Sequence, residues 1–221
     1  MAETMTDFAA EREAMVERQI ASRGIREPRI LEAFRAVPRE EFLAPDYRDI
    51  AYGDHPLPIE AGQTISQPYI VALMIQAAEM KFGDRVFEVG AGSGYAAAVM
   101  SRIAGEVIAI ERQPDLVKVA QERMQRLGYD NVRILEGDGT RGWPAEAPYD
   151  AILAAASGSH VPPAWLEQLA DGGRIVMPVG EPSFVQKLIK VTKGPAGKLI
   201  TEELGAVRFV PLIGEEGWSD D

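Results

Sequence analysis

The chain has 221 residues, 46% hydrophobic and 26% charged, and no cysteine, which excludes a collagen-like repeat, a disordered polyelectrolyte, a disulfide-stapled miniprotein and any thiol nucleophile. A chain of this length buries roughly 70% of its unfolded surface, enough for one large domain with a small appendage. Its 34 acidic against 23 basic residues give a net charge of −11, which argues against nonspecific binding to nucleic acid or anionic membrane.

The chain opens, from Met1 to Arg12, on charged residues with no signal-peptide core, and no apolar run reaches bilayer-spanning length, so a soluble cytoplasmic protein is expected. Phe8, Met15, Val16 and Ile20 form a helical stripe over Asp7–Arg23 that Gly24 ends. A second helix starts near Pro28, carries Ile30, Leu31, Phe34 and Val37 on one face, and closes at Pro38. From Glu41 to Gln67 no period survives, which is long for an inert loop and typical of a segment lining a site.

Pro68–Met80 reads as a helix and Arg85–Val89 as a strand. A glycine-rich turn follows, then a helix Tyr95–Ile103, a strand Glu106–Ile110, a helix Asp115–Leu127 stopped by Gly128, and a strand Val132–Leu135. Asp150–Ala154, Pro163–Leu169 and Gly173–Pro178 continue as strand, helix and strand, the alternation of a mostly parallel sheet with helices on both faces. After Gly180 the helices stop; Phe184–Val191, Lys198–Leu204 and Val207–Leu212 read as three successive strands at an antiparallel edge. Residues 215–221 form an acidic tail that contains Trp218.

The segment Glu88-Val89-Gly90-Ala91-Gly92-Ser93-Gly94 joins a strand to a helix, where glycines permit a sharp turn and close approach of a ligand to main-chain atoms. Glu111 ends the next strand about twenty positions on, where an open α/β sheet offers an acid to a ribose diol. Asp138, ending the third strand, is placed to accept from an adenine amino group, and a turn-forming Asp-Gly explains it almost equally well.

A dinucleotide site and a nucleoside site compete for this loop. Tyr95 stands where the dinucleotide fingerprint wants its third glycine, and Glu88 beside the turn repels a diphosphate but suits a sulfonium amino-acid nucleoside. Glu88, Gly90, Gly92, Gly94, Glu111 and Asp138 together resemble the S-adenosylmethionine site of Rossmann-like methyltransferases. A nicotinamide-dependent oxidoreductase and a non-catalytic module that binds cofactor or damaged peptides stay open as alternatives.

Gly62-Gln63-Thr64-Ile65-Ser66-Gln67-Pro68-Tyr69-Ile70-Val71-Ala72 resembles the signature of protein-L-isoaspartate O-methyltransferases. Val37-Pro38-Arg39-Glu40 with Phe42, Leu57-Pro58, Gly137-Asp138-Gly139 followed by Gly142-Trp143, Ala147–Ile152, Gly172-Gly173-Arg174, Pro178-Val179-Gly180 and Val207–Leu212 match in order, so the resemblance spans about residues 15 to 213. It implies an α/β, Rossmann-like methyltransferase fold. The sheet would be mostly parallel and doubly wound, with antiparallel C-terminal strands and an N-terminal helical cap. The chain divides on this reading into a cap and site-lining segment (1–67), a methyltransferase core (68–213) and an acidic tail (214–221).

The resemblance also implies a function: methyl transfer from S-adenosylmethionine to the free α-carboxylate of isoaspartyl residues in damaged proteins, which initiates repair, by a monomeric enzyme. Ser66 is the implied catalytic residue, a hydroxyl that holds a carboxylate oxygen; capping the helix that starts at Pro68 is its structural alternative. The implied cofactor residues are Ile65, Glu88, Gly90, Gly92, Gly94, Glu111, Asp138 and Gly139, and the implied substrate residues are Thr64, Ser66, Gln67, Tyr69 and Val210. An α-carboxylate is ionised at neutral pH and needs no general base. No metal is expected, since His55 and His160 have no ligand-spaced companions. The run Ala154–His160 and the alanines Ala96, Ala97 and Ala98 depart from the family's usual residues at the pocket wall and helix start.

Overall fold

The computed structural model describes residues 6–220; the first five residues of the expected cap and Asp221 of the expected tail lie outside the described residues. Six helices are α1 (Phe8–Met15), α2 (Pro28–Ala36), α3 (Pro68–Ala78), α4 (Tyr95–Met100), α5 (Pro114–Leu127) and α6 (Pro163–Gln168). A short antiparallel pair, β1 (Leu57–Pro58) and β2 (Thr64–Ile65), precedes α3. The main sheet contains β3 (Arg85–Val89), β4 (Glu106–Glu111), β5 (Val132–Glu136), β6 (Tyr149–Ala154), β7 (Leu169–Val179), β8 (Gln186–Lys193) and β9 (Leu199–Val207).

Its strand order is β5-β4-β3-β6-β7-β8-β9, parallel from β5 to β7 and antiparallel beyond. The chain leaves β3 toward β4 and returns on β3's other side as β6, so the order reverses at β3, and a crevice opens at the carboxyl ends of β3, β4 and β6. Period-two alternation builds two cores: Val107 and Ala109 pack on the face that carries α2 and α4, while Ile108 and Ile110 pack on the face that carries Trp165 of α6. α1 continues through a π turn at Val16–Ile20 and a 3-10 turn at Ala21–Arg23, and Gly24 ends it in the left-handed region. Among the described residues no helix is long and apolar enough to cross a membrane.

One expected strand is absent. β9 extends to Val207, and residues 208–212 leave the antiparallel edge to cross the carboxyl end of the sheet, where Pro211 forms an isolated parallel bridge with Ser157. Ser157 holds the crossing segment from both sides, its N–H donating to the Val210 carbonyl and its carbonyl accepting from Leu212 N–H, each at 2.8 Å. The buried Gln186 side chain accepts from Phe209 N–H at 2.8 Å. Pro211 has no N–H to continue a ladder, so the segment is held by these separate bonds.

α3 carries the site at its start and is anchored at its end by Arg174 of β7. The Arg174 guanidinium donates to the carbonyls of Ala78 (2.7 Å) and Glu79 (2.6 Å), groups that the last helical turn leaves unpaired. Arg174→Met strips both buried carbonyls of their donor; a loss of about 2–4 kcal/mol is expected, read as a lower urea midpoint with unchanged slope.

Candidate active site

The glycine turn is fixed by its neighbour strand. The N–H groups of Gly90 and Ala91 both donate to the carbonyl of Ile110, at 2.9 and 3.1 Å. Gly92 N–H donates to Glu111 Oε2 at 2.9 Å, and Glu111 Oε1 accepts from the N–H groups of Arg112 and Gln113. Gly90, Gly92 and Gly94 have φ of 86°, 53° and 87°, the left-handed region that makes glycine necessary here. Gly94 faces away from the crevice: a Cβ there would lie 2.8 Å from Met124 Cε, so this glycine seats α4 against α5.

Three spaces meet at this turn. An outer cleft of about 630 Å³ is lined by Gly90, Gly92, Ile110, Glu111, Gly139 and Trp218. A narrow inner chamber of about 50 Å³ lies behind it, bounded by Ile65, Ser66, Glu88, Tyr95, Leu153 and Phe209. An open groove of about 730 Å³ runs past Ser66, Gln67, Ile70, Val185, Arg208 and Val210. Thr64 borders all three, and Ser66 borders both the chamber and the groove.

Glu88 is 2% exposed and its carboxylate has no hydrogen-bond partner, with Oε2 fully buried. Burial, and secondarily the nearby Glu111, raise its pKa well above the ordinary carboxylate value. An orphaned buried acid at the inner end of a cleft is built for a cationic group. Among the described residues the Ser66 hydroxyl makes no hydrogen bond, and α3 is capped at Gln67 without a side-chain bond, so Ser66 does not serve as the helix cap. Its carbonyl accepts from the buried Arg39 at 2.8 Å.

Two expected residues are placed elsewhere. Asp138 turns toward its own chain: Oδ1 accepts from the N–H and hydroxyl of Thr140, and Oδ2 accepts from Glu215 N–H at 2.8 Å. Burial pushes its pKa up, but the hydrogen bonds from Glu215 and Thr140 outweigh that and hold it below the ordinary value. The turn-forming explanation of Asp138 is therefore the one the geometry favours. Tyr69 lies outside all three spaces, with the Arg23 guanidinium stacked 3.4 Å from its ring centroid.

The 214–220 segment supplies a wall that its acidic composition did not announce. Trp218 donates from Nε1 to the Ser157 carbonyl at 2.8 Å and faces the outer cleft. Glu215 and Glu216 are tied by their N–H groups to Asp138 and Thr140, and Asp220 pairs with Arg112 at 2.5 Å. A lone indole in a charged tail was the available signal. Ala155 and Ala156 also line this cleft. Among the described residues no cluster of three His, Cys, Asp or Glu side chains is placed to hold a metal ion.

The sequence matches the family Protein-L-isoaspartate(D-aspartate) O-methyltransferase over residues 10–217. It is 56% identical over 214 residues to protein-L-isoaspartate O-methyltransferase 1 of Rhodopseudomonas palustris, covering 97% of this chain and 87% of the relative. It is 55% identical over 207 residues to protein-L-isoaspartate O-methyltransferase 2 of Pelobacter propionicus, covering 94% and 92%. A solved protein-L-isoaspartate O-methyltransferase superimposes with a TM-score of 0.84 at 33% identity over 93% of this chain, which spans 66% of that longer one. A Plasmodium falciparum chain solved as a beta-aspartate methyltransferase in complex with S-adenosyl-L-homocysteine gives a TM-score of 0.77 at 29% identity, covering 91% of this chain and 98% of that one.

The buried acid has a consequence for stability. A carboxyl whose pKa is higher folded than unfolded favours folding below the ordinary carboxylate range, and that contribution is lost as pH rises through the folded value. Glu88→Gln removes the ionisation, so its Tm is expected to exceed that of the wild type at pH 7–8. The gap should close as pH falls toward about 4, as paired thermal melts across pH would measure.

Proposed function

The chain belongs to the protein-L-isoaspartate(D-aspartate) O-methyltransferase family, and we propose that it transfers a methyl group from S-adenosylmethionine to the free α-carboxylate of L-isoaspartyl residues in damaged proteins. The observation that carries this reading is the position of Ser66, which borders both the chamber holding Glu88 and the open groove. A cofactor's reacting carbon and a peptide's carboxylate can meet only where those two spaces join.

The residues fit the cofactor. The Glu111 carboxylate, oriented by three backbone N–H groups, keeps acceptor capacity for a ribose diol at the cleft. Glu88 matches the ammonium of the cofactor's amino-acid end, and ionises when that charge arrives. Gly90 and Gly92 let the ligand lie against the backbone, Ile65 walls the chamber, and Gly139 and Trp218 wall the outer cleft. The residues that line the chamber include no basic side chain to pair with a diphosphate, which disfavours a nicotinamide dinucleotide.

The bound cofactor supplies an electrophilic methyl on sulfonium sulfur. A carboxylate oxygen forms the new O–C bond as the C–S bond breaks, leaving an ester and S-adenosylhomocysteine, and no proton moves. The protein's part is to position the carboxylate and replace its water with fixed donors. Ser66 donates a hydrogen bond to one oxygen without acting as a base. Thr64, Gln67 and Val210 border the groove that receives the extended substrate. The Val210 carbonyl accepts one hydrogen bond, from Ser157 N–H, which holds Val210 at the border of the groove. On this reading the partners are isoaspartyl proteins met by a cytoplasmic monomer, and the net charge of −11 disfavours nucleic acid and anionic membrane.

Incubation with methyl-tritiated S-adenosylmethionine and matched peptides should give base-labile label on the isoaspartyl peptide alone; label on neither, or equally on the normal aspartyl peptide, overturns the assignment. Ser66→Ala is expected to lower kcat about 10–100-fold while the Kd for S-adenosylhomocysteine in titration calorimetry stays within about twofold.

A further inference from the structure

We infer that Arg39 is a positioning residue that both fixes the Ser66 backbone and supplies, from behind the chamber wall, the positive charge that selects an ionised carboxylate there; this rests on the methyl-transfer reading above. Arg39 is 0% exposed. Its Nε donates to the Ala51 carbonyl and its Nη2 to the Ser66 carbonyl, each at 2.8 Å, while Nη1 is buried without a partner. The guanidinium lies 4.8 Å from the ring centroid of Tyr95. Ser66 and Tyr95, which Arg39 holds, both line the chamber.

What distinguishes this arginine is the missing anion. Among the described residues, the other deeply buried arginines have acids: Arg123 pairs with Glu60 at 2.8 Å and Arg174 with Asp84 at 3.7 Å. The adjacent Glu40 is committed to Arg12 and to the Tyr52 hydroxyl. Burial, the largest influence, lowers the Arg39 pKa from its ordinary value, yet a guanidinium stays protonated at neutral pH. A cation kept out of water without a counter-ion is costly unless an anion completes it. Two carbonyls and an aromatic face supply only partial charge. The arriving α-carboxylate supplies a full negative charge on the far side of the Ser66 backbone; Arg39 lines none of the three spaces, so it acts on that charge through its field and not by contact.

The test separates charge from architecture. With S-adenosylhomocysteine bound, calorimetry measures the Kd of an isoaspartyl peptide and of the same peptide with its α-carboxylate converted to carboxamide. The wild type is expected to favour the carboxylate by about 10-fold or more. In Arg39→Gln that preference should fall to within about twofold, and in Arg39→Lys, assayed at about pH 6 to keep the buried ammonium protonated, it should persist while kcat drops because Ser66 is held by one bond fewer. The Kd for S-adenosylhomocysteine should change less than about twofold in either variant.

Equal weakening of both peptides with the preference intact in Arg39→Gln overturns the inference in favour of a packing role. Weakened S-adenosylhomocysteine binding with intact preference overturns it in favour of the cofactor's own carboxylate. If Arg39→Gln does not fold, loss of the preference in Arg39→Lys refutes the charge argument and its retention supports it. A wild type that binds normal aspartyl and isoaspartyl peptides alike overturns the methyl-transfer reading itself.

Discussion

The site depends on how the glycine turn is pinned to β4. Left-handed backbone at Gly90, Gly92 and Gly94 carries a large entropy cost when ordered, and three N–H groups meet that cost by finding acceptors on one neighbouring strand end: Gly90 and Ala91 on the Ile110 carbonyl, Gly92 on the Glu111 carboxylate. Glu111 thus has two functions that cannot be separated. The oxygen that orders the turn belongs to the carboxylate that faces the nucleoside cleft, so removing it disturbs both the turn and the contact.

Around that turn the charges are arranged for an occupied state. Glu88 lies buried without a donor on one side of the chamber, and Arg39 lies buried without an acid behind another. Neither arrangement favours folding of the free chain, since each leaves polar capacity unfilled out of water. Under the proposed function both would be answered by a ligand pair that is cationic where it meets Glu88 and anionic where it meets Ser66. The remainder of the chain compensates by ordinary means: two apolar cores, Arg174 at the end of α3, and the paired acids of the surface.

Residues whose role follows from local covalent geometry were legible in the sequence. Gly90, Gly92 and Glu111 could be found because a strand, a turn needing glycine and an acid at the next strand end recur at fixed spacing along one chain. The boundaries of β3, α2 and α5 were legible for a similar reason, since hydrophobic period, proline and glycine act within a few residues. Asp138 was legible only as an acid at a strand end; which partner it meets depends on Glu215, 77 positions away in sequence. Tyr69 likewise has the right place on α3 but is claimed by Arg23 from the cap. The segment 208–212 has a strand's composition, yet it is held by separate bonds from Ser157, Gln186 and Trp218 instead of a ladder, and no periodicity encodes a crossing held that way.

These long-range attachments also explain how a modest reaction is made selective. A carboxylate needs no activation to attack a sulfonium methyl, so a site with the cofactor alone would methylate any acid that diffused in. Two segments shape access: the 214–220 segment walls the outer cleft, the 208–212 segment borders both that cleft and the peptide groove, and both are tied to Ser157 through Trp218 and Val210. Ser66, on β2's exit into α3, is among the residues that border both the chamber and the groove, with Thr64, Ala155 and Phe209. Selectivity for a carboxylate on a flexible backbone then follows from reach as much as from contact. A normal aspartyl side chain projects its acid one methylene from an intact main chain, whereas an isoaspartyl α-carboxylate is bonded directly to a carbon of the rerouted backbone, so the two present their acids at different distances from a chain lying in the groove.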